Sequence, residues 1–372
     1  MSPQTAQEVF PQIRSVVAYS PYLWPHAVAA LRYARPVQEA GLILIPGKEG
    51  DSIYPEHVSQ ADIVVIQREF PLYWEQYEQI LSLARTQGKP VVYELDDLLL
   101  ELPDVHPDRA LDFYTPAILP IQHAITSADI VTTTTHALRE YLIQLNPNIV
   151  VLPNYLDDRL WTMRSPAKDV PRFPIVIGYM GSDTHQPDLD ILTPVFLNLV
   201  NRFGERIRFR FWGCQPHAVI RQLSQTDWLP LQIFDYPKFA EYFSQQECDI
   251  FIAPLVDSLF NRCKSPIKLF EYSTSGTPGV YSRLDPFESI VIHGENGFLA
   301  SSLEEWEAYL GQLIEDPTLR SRLGSRMQET VKQRWLLSQH ASSWKDAYQQ
   351  AQIVARRGDA SQRSERIRML RN

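Results

Sequence analysis

Short apolar runs alternate with longer amphipathic segments along most of the chain. The runs at 15–19, 42–45, 63–67, 91–95, 130–133 and 149–152 are of strand length, and the segments between them, such as 73–87 and 118–127, are of helical length. Strand, helix, strand in series predicts a parallel sheet covered on both faces. The periodicity lapses over 153–174, where Pro153, Pro166, Pro171 and Pro174 recur as in a linker. It restarts with runs at 175–180, 207–212, 231–234, 249–255 and 279–282, a second Rossmann-like half. After Gly297 the pattern turns helical from Leu303 to about Tyr348, with Trp306, Trp335 and Trp344 on apolar faces. The predicted organisation is α/β, with residues 1–165 and 166–350 as two Rossmann-like domains, the second carrying terminal helices. Residues 351–372 form a basic tail expected to be disordered, with six arginines against two acids beyond Ala355.

One stretch carries chemistry. The run Asn261-Arg262-Cys263-Lys264-Ser265-Pro266-Ile267-Lys268-Leu269-Phe270-Glu271 follows a strand, and Gly276-Thr277-Pro278 closes it. Ser265 and Pro266 read as the cap and first-turn residue of a helix. Lys264, Lys268, Glu271 and Tyr272 then share one face, with Ile267 and Phe270 turned to a core. A lysine in a first helical turn meets the positive end of the dipole, which suggests an anion in front of it. A solvated Lys268–Glu271 pair, worth a few tenths of a kcal/mol, is the bland alternative.

Composition narrows the class. With 372 residues and a net charge of −9, the chain has room for two cores, and its bulk charge argues against tracking nucleic acid. Cys214, Cys248 and Cys263 cannot complete a disulfide set and lack zinc-site spacing. No apolar run approaches the ~18–20 residues that span a bilayer, and Met1 to Gln12 has no secretory pattern, so a cytoplasmic protein is expected.

Several spaced motifs together carry a resemblance. Ile177-Gly178-Tyr179-Met180-Gly181-Ser182, the run 249–255, the helix 264–271, Gly276-Thr277-Pro278 and His293-Gly294-Glu295-Asn296-Gly297-Phe298 occur in the order seen in retaining GT-B glycosyltransferases of the glycosyl transferases group 1 family, which use nucleotide-sugar donors. Tyr93-Glu94-Leu95-Asp96-Asp97 and Val151-Leu152-Pro153-Asn154 are similar to landmarks of the first domain. The resemblance implies two domains facing across a cleft, with the donor held mainly by the second. It also implies transfer of a hexose-like unit from a nucleoside diphosphate sugar to a glycan or lipid-linked acceptor, in surface polysaccharide assembly.

Two departures stand out. Cys263 occupies the place of a family glutamate that contacts the donor sugar, and Ser182-Asp183-Thr184-His185 replaces a basic pair. Arg262, Lys264 and Lys268, with Ser265 at the helix start, are expected to meet the leaving phosphate without a metal or separate cofactor. Glu271 matches the family's ribose ligand, and Gly181 lets the backbone approach a phosphate, with Ser182, Thr184 and His185 on the same loop. Lys268, Asp96 and Asp97 are the catalytic candidates, the acids orienting an acceptor hydroxyl or acting as a base, with loop capping as the alternative. Arg68, Glu69 and His106 are weaker candidates, expected at the surface. Asp188 and Asp190 look like a metal-binding pair but start a helix, where capping is expected. A non-catalytic nucleotide or glycan binder and a sugar-phosphate epimerase remain open readings. So do oligomeric state, nucleotide base, acceptor, and peripheral contact of the arginine tail with a membrane.

Overall fold

A computed structural model describes residues 11–165 and 173–357. Fourteen strands are present among them: β1 Ser15–Tyr19, β2 Ile43–Pro46, β3 Lys48–Glu49, β4 Ser52–Ile53, β5 Ile63–Gln67, β6 Val91–Leu95, β7 Ile130–Thr133, β8 Ile149–Val151, β9 Ile175–Gly181, β10 Ile207–Gly213, β11 Thr226–Leu229, β12 Ile250–Ala253, β13 Gly279–Ser282 and β14 Phe298–Ala300. They build two six-stranded parallel sheets, ordered β2-β1-β5-β6-β7-β8 and β11-β10-β9-β12-β13-β14, and the small antiparallel hairpin β3-β4. Central strands are buried along their whole length, which is why they read as unbroken apolar runs. Strand order reverses at β1/β5 in one sheet and at β9/β12 in the other. Ligand crevices of open α/β sheets form at the carboxyl ends of the strands flanking such switch points.

One strand expectation needs correction. The run 231–234 is not a strand; β11 is Thr226–Leu229, in parallel register with β10 from Phe209 opposite Thr226 to Trp212 opposite Leu229. This edge strand is only half-buried, and Asp227 holds it by accepting two 2.6 Å bonds from Arg208. Its signal is therefore a charge pair and not an apolar run, while Phe234 lies exposed in the following loop. β14, for which no strand was expected, closes the second sheet just before the helical region that begins at Leu303.

The last helix, Ser342–Arg357, does not stay with the second domain. Trp344, Ala347, Tyr348 and Ala351 join the first domain's core, and Trp344 Nε1 donates to Arg32 O at 3.1 Å. Residues 351–357 of the expected disordered tail are thus helical, held by that apolar face; the remainder lies outside the described residues. Between the domains, Leu156 exchanges backbone hydrogen bonds with Trp335 and Leu337 at 2.9 and 2.8 Å, strapping the crossover to the returning chain. Arg35 and Asp157 pair beside it at 2.6 Å.

The helix Pro317–Arg334 packs against the turn that follows the Ile267–Ser273 helix. A Cβ at Gly324 would lie 1.9 Å from Gly276 O and 3.1 Å from Pro278 N. Both are backbone atoms, so the helix itself would have to move. Gly324→Ala is expected to destabilise the second domain by about 1–3 kcal/mol, as overpacking does. Thermal denaturation of the purified variant checks this, and an unchanged midpoint would contradict the packing.

Candidate functional site

The carboxyl ends of both sheets face a shared cleft. In the second domain β9 ends at Gly181, and Cys214 N donates to Gly181 O at 2.6 Å. Gly213 makes this close approach possible, since it has φ of 80° and a Cβ there would lie 2.2 Å from Gly181 O. Gly181 itself leaves room for Lys268: a Cβ on Gly181 would lie 3.1 Å from Lys268 Nζ and 2.8 Å from Tyr179 Oη.

Lys268 is half-buried, donates to Tyr179 Oη at 3.0 Å and sits 4.5 Å from the centre of that ring. Burial lowers its ammonium to about 8, with Lys264 adding repulsion and Asp188 opposing. The helix that carries it, Ile267–Ser273, has only seven residues. Ser265 does not cap it; Pro266 occupies the N-cap position, and Ser265 Oγ is buried without a hydrogen-bond partner. Two short helices are present where one was expected, because Ser258 caps a separate turn, Leu259–Arg262, by accepting from Asn261 N at 3.2 Å.

The expected charged face is largely internal. Glu271 is 5% exposed, and its Oε1 accepts from Tyr236 Oη at 2.8 Å. Burial pushes its carboxyl up to about 7, with Tyr236 and Lys268 pulling the other way. Arg262 is exposed and its guanidinium is held by Asp257 at 2.7 and 2.8 Å, so its charge is already matched. Lys264 remains half-buried over the Phe260 ring, 4.4 Å from its centre, and lines the cleft with His106 and Asp188. Ser182 is exposed and its hydroxyl lies 2.7 Å from that of Thr184.

Asp188 does not act as a helix cap. Its Oδ1 accepts from Val256 N at 2.8 Å and from Asn261 Nδ2 at 2.7 Å, while Oδ2 lies 2.9 Å from His185 Nδ1. This buried carboxylate ties the loop after β9 to the loop after β12. Burial and the neighbouring Lys268 and Lys264 push His185 down to about 3, so its imidazole is neutral near pH 7. Asp190 stands apart from this network, and no cluster of three or more metal-ligating side chains occurs among the described residues.

In the first domain Arg68 and Glu69, expected at the surface, are buried. Arg68 has φ of 49°, an uncommon conformation for a side-chain-bearing residue, and this turns its guanidinium into the sheet end. It donates to Asp96 Oδ1 at 2.8 Å and to Tyr114 Oη at 3.0 Å, lies 3.5 Å from Asp97 Oδ2, and sits 5.3 Å from the centre of the Tyr22 ring. Asp96 and Asp97 therefore serve Arg68 and not a loop cap. They titrate as a pair. Burial raises Asp96; it also opposes ionisation of Asp97, but Lys264, Arg68 and His185 outweigh it and hold that carboxyl low. Two of those three cationic or polar neighbours reach Asp97 from the other domain.

His106 and Cys263 also bridge the domains. His106 is buried, caps the turn Pro107–Ala110 and meets the Phe260 ring edge-on at 5.0 Å. Phe260 and Cys263 are packed into the first domain's core, and Cys263 O accepts from Thr135 Oγ1 at 2.9 Å. The Cys263 thiol is thus fully enclosed between the domains and does not line the donor side of the cleft. Tyr236 and Trp161 were not legible as site residues: Tyr236 lies 35 positions from Glu271, and its local signal, Asp235-Tyr236-Pro237, reads only as a helix start capped by Asp235.

Two Rossmann-like domains facing across a cleft, with a helical C-terminal segment, define the GT-B fold. Residues 174–316 match the family model described as Glycosyl transferases group 1. Among solved structures, the chain resembles sucrose-phosphate synthase from Thermosynechococcus elongatus, with a TM-score of 0.62 and 15% identity over 91% of this chain and 98% of that one. It also resembles Anabaena Alr3699/HepE in complex with UDP and glucose, at 0.58 and 13% over 90% and 98%. TarM is similar at 0.57 and 12% over 77% of this chain, which spans about half of it (54%). No curated protein sequence matches.

Glu271→Gln should reveal the cost of the buried charge. The folded-state carboxyl is raised from 4.5 to about 7, so its favourable contribution is complete below pH 4.5 and is lost as pH rises through 7. Glutamine mimics the protonated form. The variant is expected to be more stable than the unmodified protein at pH 8, by up to roughly 3 kcal/mol, and equal to it near pH 4.5. Denaturant unfolding at the two pH values measures the difference, and equal stabilities at pH 8 would rule it out.

Proposed function

We propose that the chain is a glycosyltransferase that moves a hexose-like unit from a nucleoside diphosphate sugar to a glycan or lipid-linked acceptor, with retention at the anomeric carbon. One observation carries this reading: cations of the second domain, Lys264 and Lys268, stand at a strand switch point opposite the ionised Asp97 of the first domain. Breaking the bond from the sugar C1 to the phosphate oxygen leaves negative charge on the diphosphate. Groups already aimed at that charge lower the barrier without reorganising. Lys268, poised by Tyr179, and Lys264 fill that role, and an arriving diphosphate restores full protonation of Lys268.

Glu271 accepts hydrogen bonds from the ribose hydroxyls, a role that suits one carboxylate facing two adjacent donors. Gly181 and the exposed Ser182 lie beside the phosphates. Across the cleft Asp97 orients the acceptor hydroxyl and takes its proton as base as the new C1–oxygen bond forms and the C1–phosphate oxygen bond breaks, while Arg68 fixes both acids. The match of residues 174–316 to a glycosyltransferase family model supports the reaction class, and the UDP and glucose bound to HepE make UDP-glucose the first donor to test. We further propose that it acts in surface polysaccharide assembly in the cytoplasm, with peripheral contact at the inner membrane face. Among the described residues no helix is long and apolar enough to cross a membrane.

Purified protein incubated with a panel of nucleotide sugars is expected to release nucleoside diphosphate slowly, and to continue doing so in EDTA, because lysines carry the phosphate charge. Lys268→Ala should lower kcat about 10²–10³-fold with a smaller change in KM. Steady-state rates that match the unmodified protein would place the phosphate site elsewhere, and abolition by EDTA with rescue by magnesium or manganese would overturn the lysine-based mechanism.

A further inference from the structure

Tyr236 has an unusual set of attachments for a side chain in a helix start. Its backbone N donates to Pro25 O of the first domain at 2.8 Å. Its hydroxyl oxygen accepts from Trp161 Nε1, in the crossover segment, at 3.2 Å, and its hydroxyl hydrogen goes to Glu271 Oε1 at 2.8 Å. The ring is 4% exposed, edge-on to Trp161 at 6.1 Å and stacked with Phe239 at 6.2 Å. Every one of these contacts restricts where the hydroxyl can point, and with Trp161 occupying the oxygen, the O–H is left with Glu271.

We propose that Tyr236 is the positioning residue for Glu271, holding one carboxylate oxygen so that the group is aimed at the ribose and its ionised form is favoured. The inference rests on the reading of Glu271 as the nucleotide's carboxylate. A buried carboxylate without a hydrogen-bond donor is costly and takes up a proton instead. The titratable groups facing Glu271 are few. Lys268 lies one turn earlier on the same helix, and Tyr236 comes from the helix Tyr236–Ser244. Behind Tyr236 stands Asp157, itself paired with Arg35. The packed helix Pro317–Arg334 offers Gln328 to the carbonyls of Ser273 and Thr274 and brings no charge to the carboxylate. Burial and the adjacent Glu271 keep the Tyr236 phenol protonated well beyond its ordinary range, so it remains a donor at every working pH.

Tyr236→Phe removes the hydroxyl and little else. In nucleotide-free protein, an infrared titration of the carboxyl band that disappears in Glu271→Gln should show its midpoint rising by about one pH unit in Tyr236→Phe. Trp161→Phe, which removes the donor to the phenol oxygen, should move it in the same direction by less. UDP, used as the probe in calorimetry, should bind Tyr236→Phe about fivefold more weakly at pH 7 and within about twofold of the unmodified protein at pH 9. A purely structural role would weaken binding equally at both pH values. An unshifted infrared midpoint in Tyr236→Phe overturns the positioning role whether or not UDP binds. Absence of UDP binding by the unmodified protein, with the infrared shift present, overturns the nucleotide reading of Glu271 and leaves Tyr236 as the group that holds it ionised.

Discussion

A single buried carboxylate sets the geometry on which the cleft depends. Asp188 accepts from the backbone of Val256 and the side chain of Asn261 while holding His185, so the loops after β9 and β12 are fixed to one another. A charge taken out of water at this cost must be well matched, and three partners satisfy most of its lone pairs. The loop it anchors carries Phe260 and Cys263 into the first domain and leads directly to Lys264 and Lys268. Domain contact and phosphate chemistry therefore share one foundation. Removing the Asp188 carboxylate would disturb both, which makes its position in the sequence, easily mistaken for half of a metal site, among the most constraining in the chain.

Electrostatics across the cleft are organised by unequal burial. Asp96 is pinned by Arg68 and raised by its enclosure, whereas its neighbour Asp97, partly open to the cleft, is held low by charges that arrive partly from the opposite domain. Two adjacent acids thus acquire different jobs from different surroundings. The same contrast separates Lys268, lowered by burial, from Arg262, which is exposed and neutralised by Asp257.

Most of the fold was legible because central parallel strands are unbroken apolar runs, and ten of the eleven expected strands appear within a residue or two of their predicted bounds. Legibility failed at edges. β11 is held by Arg208 and Asp227, so an apolar run five residues later was taken in its place. In the site, the lysines and Glu271 were visible as a spaced motif, since one helix carries them. Arg68 was legible only as a weak candidate expected at the surface, because its burial depends on a left-handed backbone and on acids 28 positions away. Cys263 was placed near the donor by likeness of position, yet its side chain follows Phe260 into the facing core. Tyr236 reads locally only as a helix start, as its partners are joined to it only by the tertiary fold.

The returning helix Ser342–Arg357 has a consequence for how the chain is made. The core beside β1 and β6 includes Trp344, Tyr348 and Ala351, so the first sheet lacks part of its apolar cover until residues almost two hundred positions beyond the crossover have been synthesised. On a ribosome the first domain waits, with one face open, throughout translation of the second. Contacts of such long sequence separation close late and slowly, and the waiting face is what chaperones recognise and what aggregates when they are absent. For this protein the order of synthesis and the order of folding diverge, and a fragment cut at the crossover would be born without its own lid.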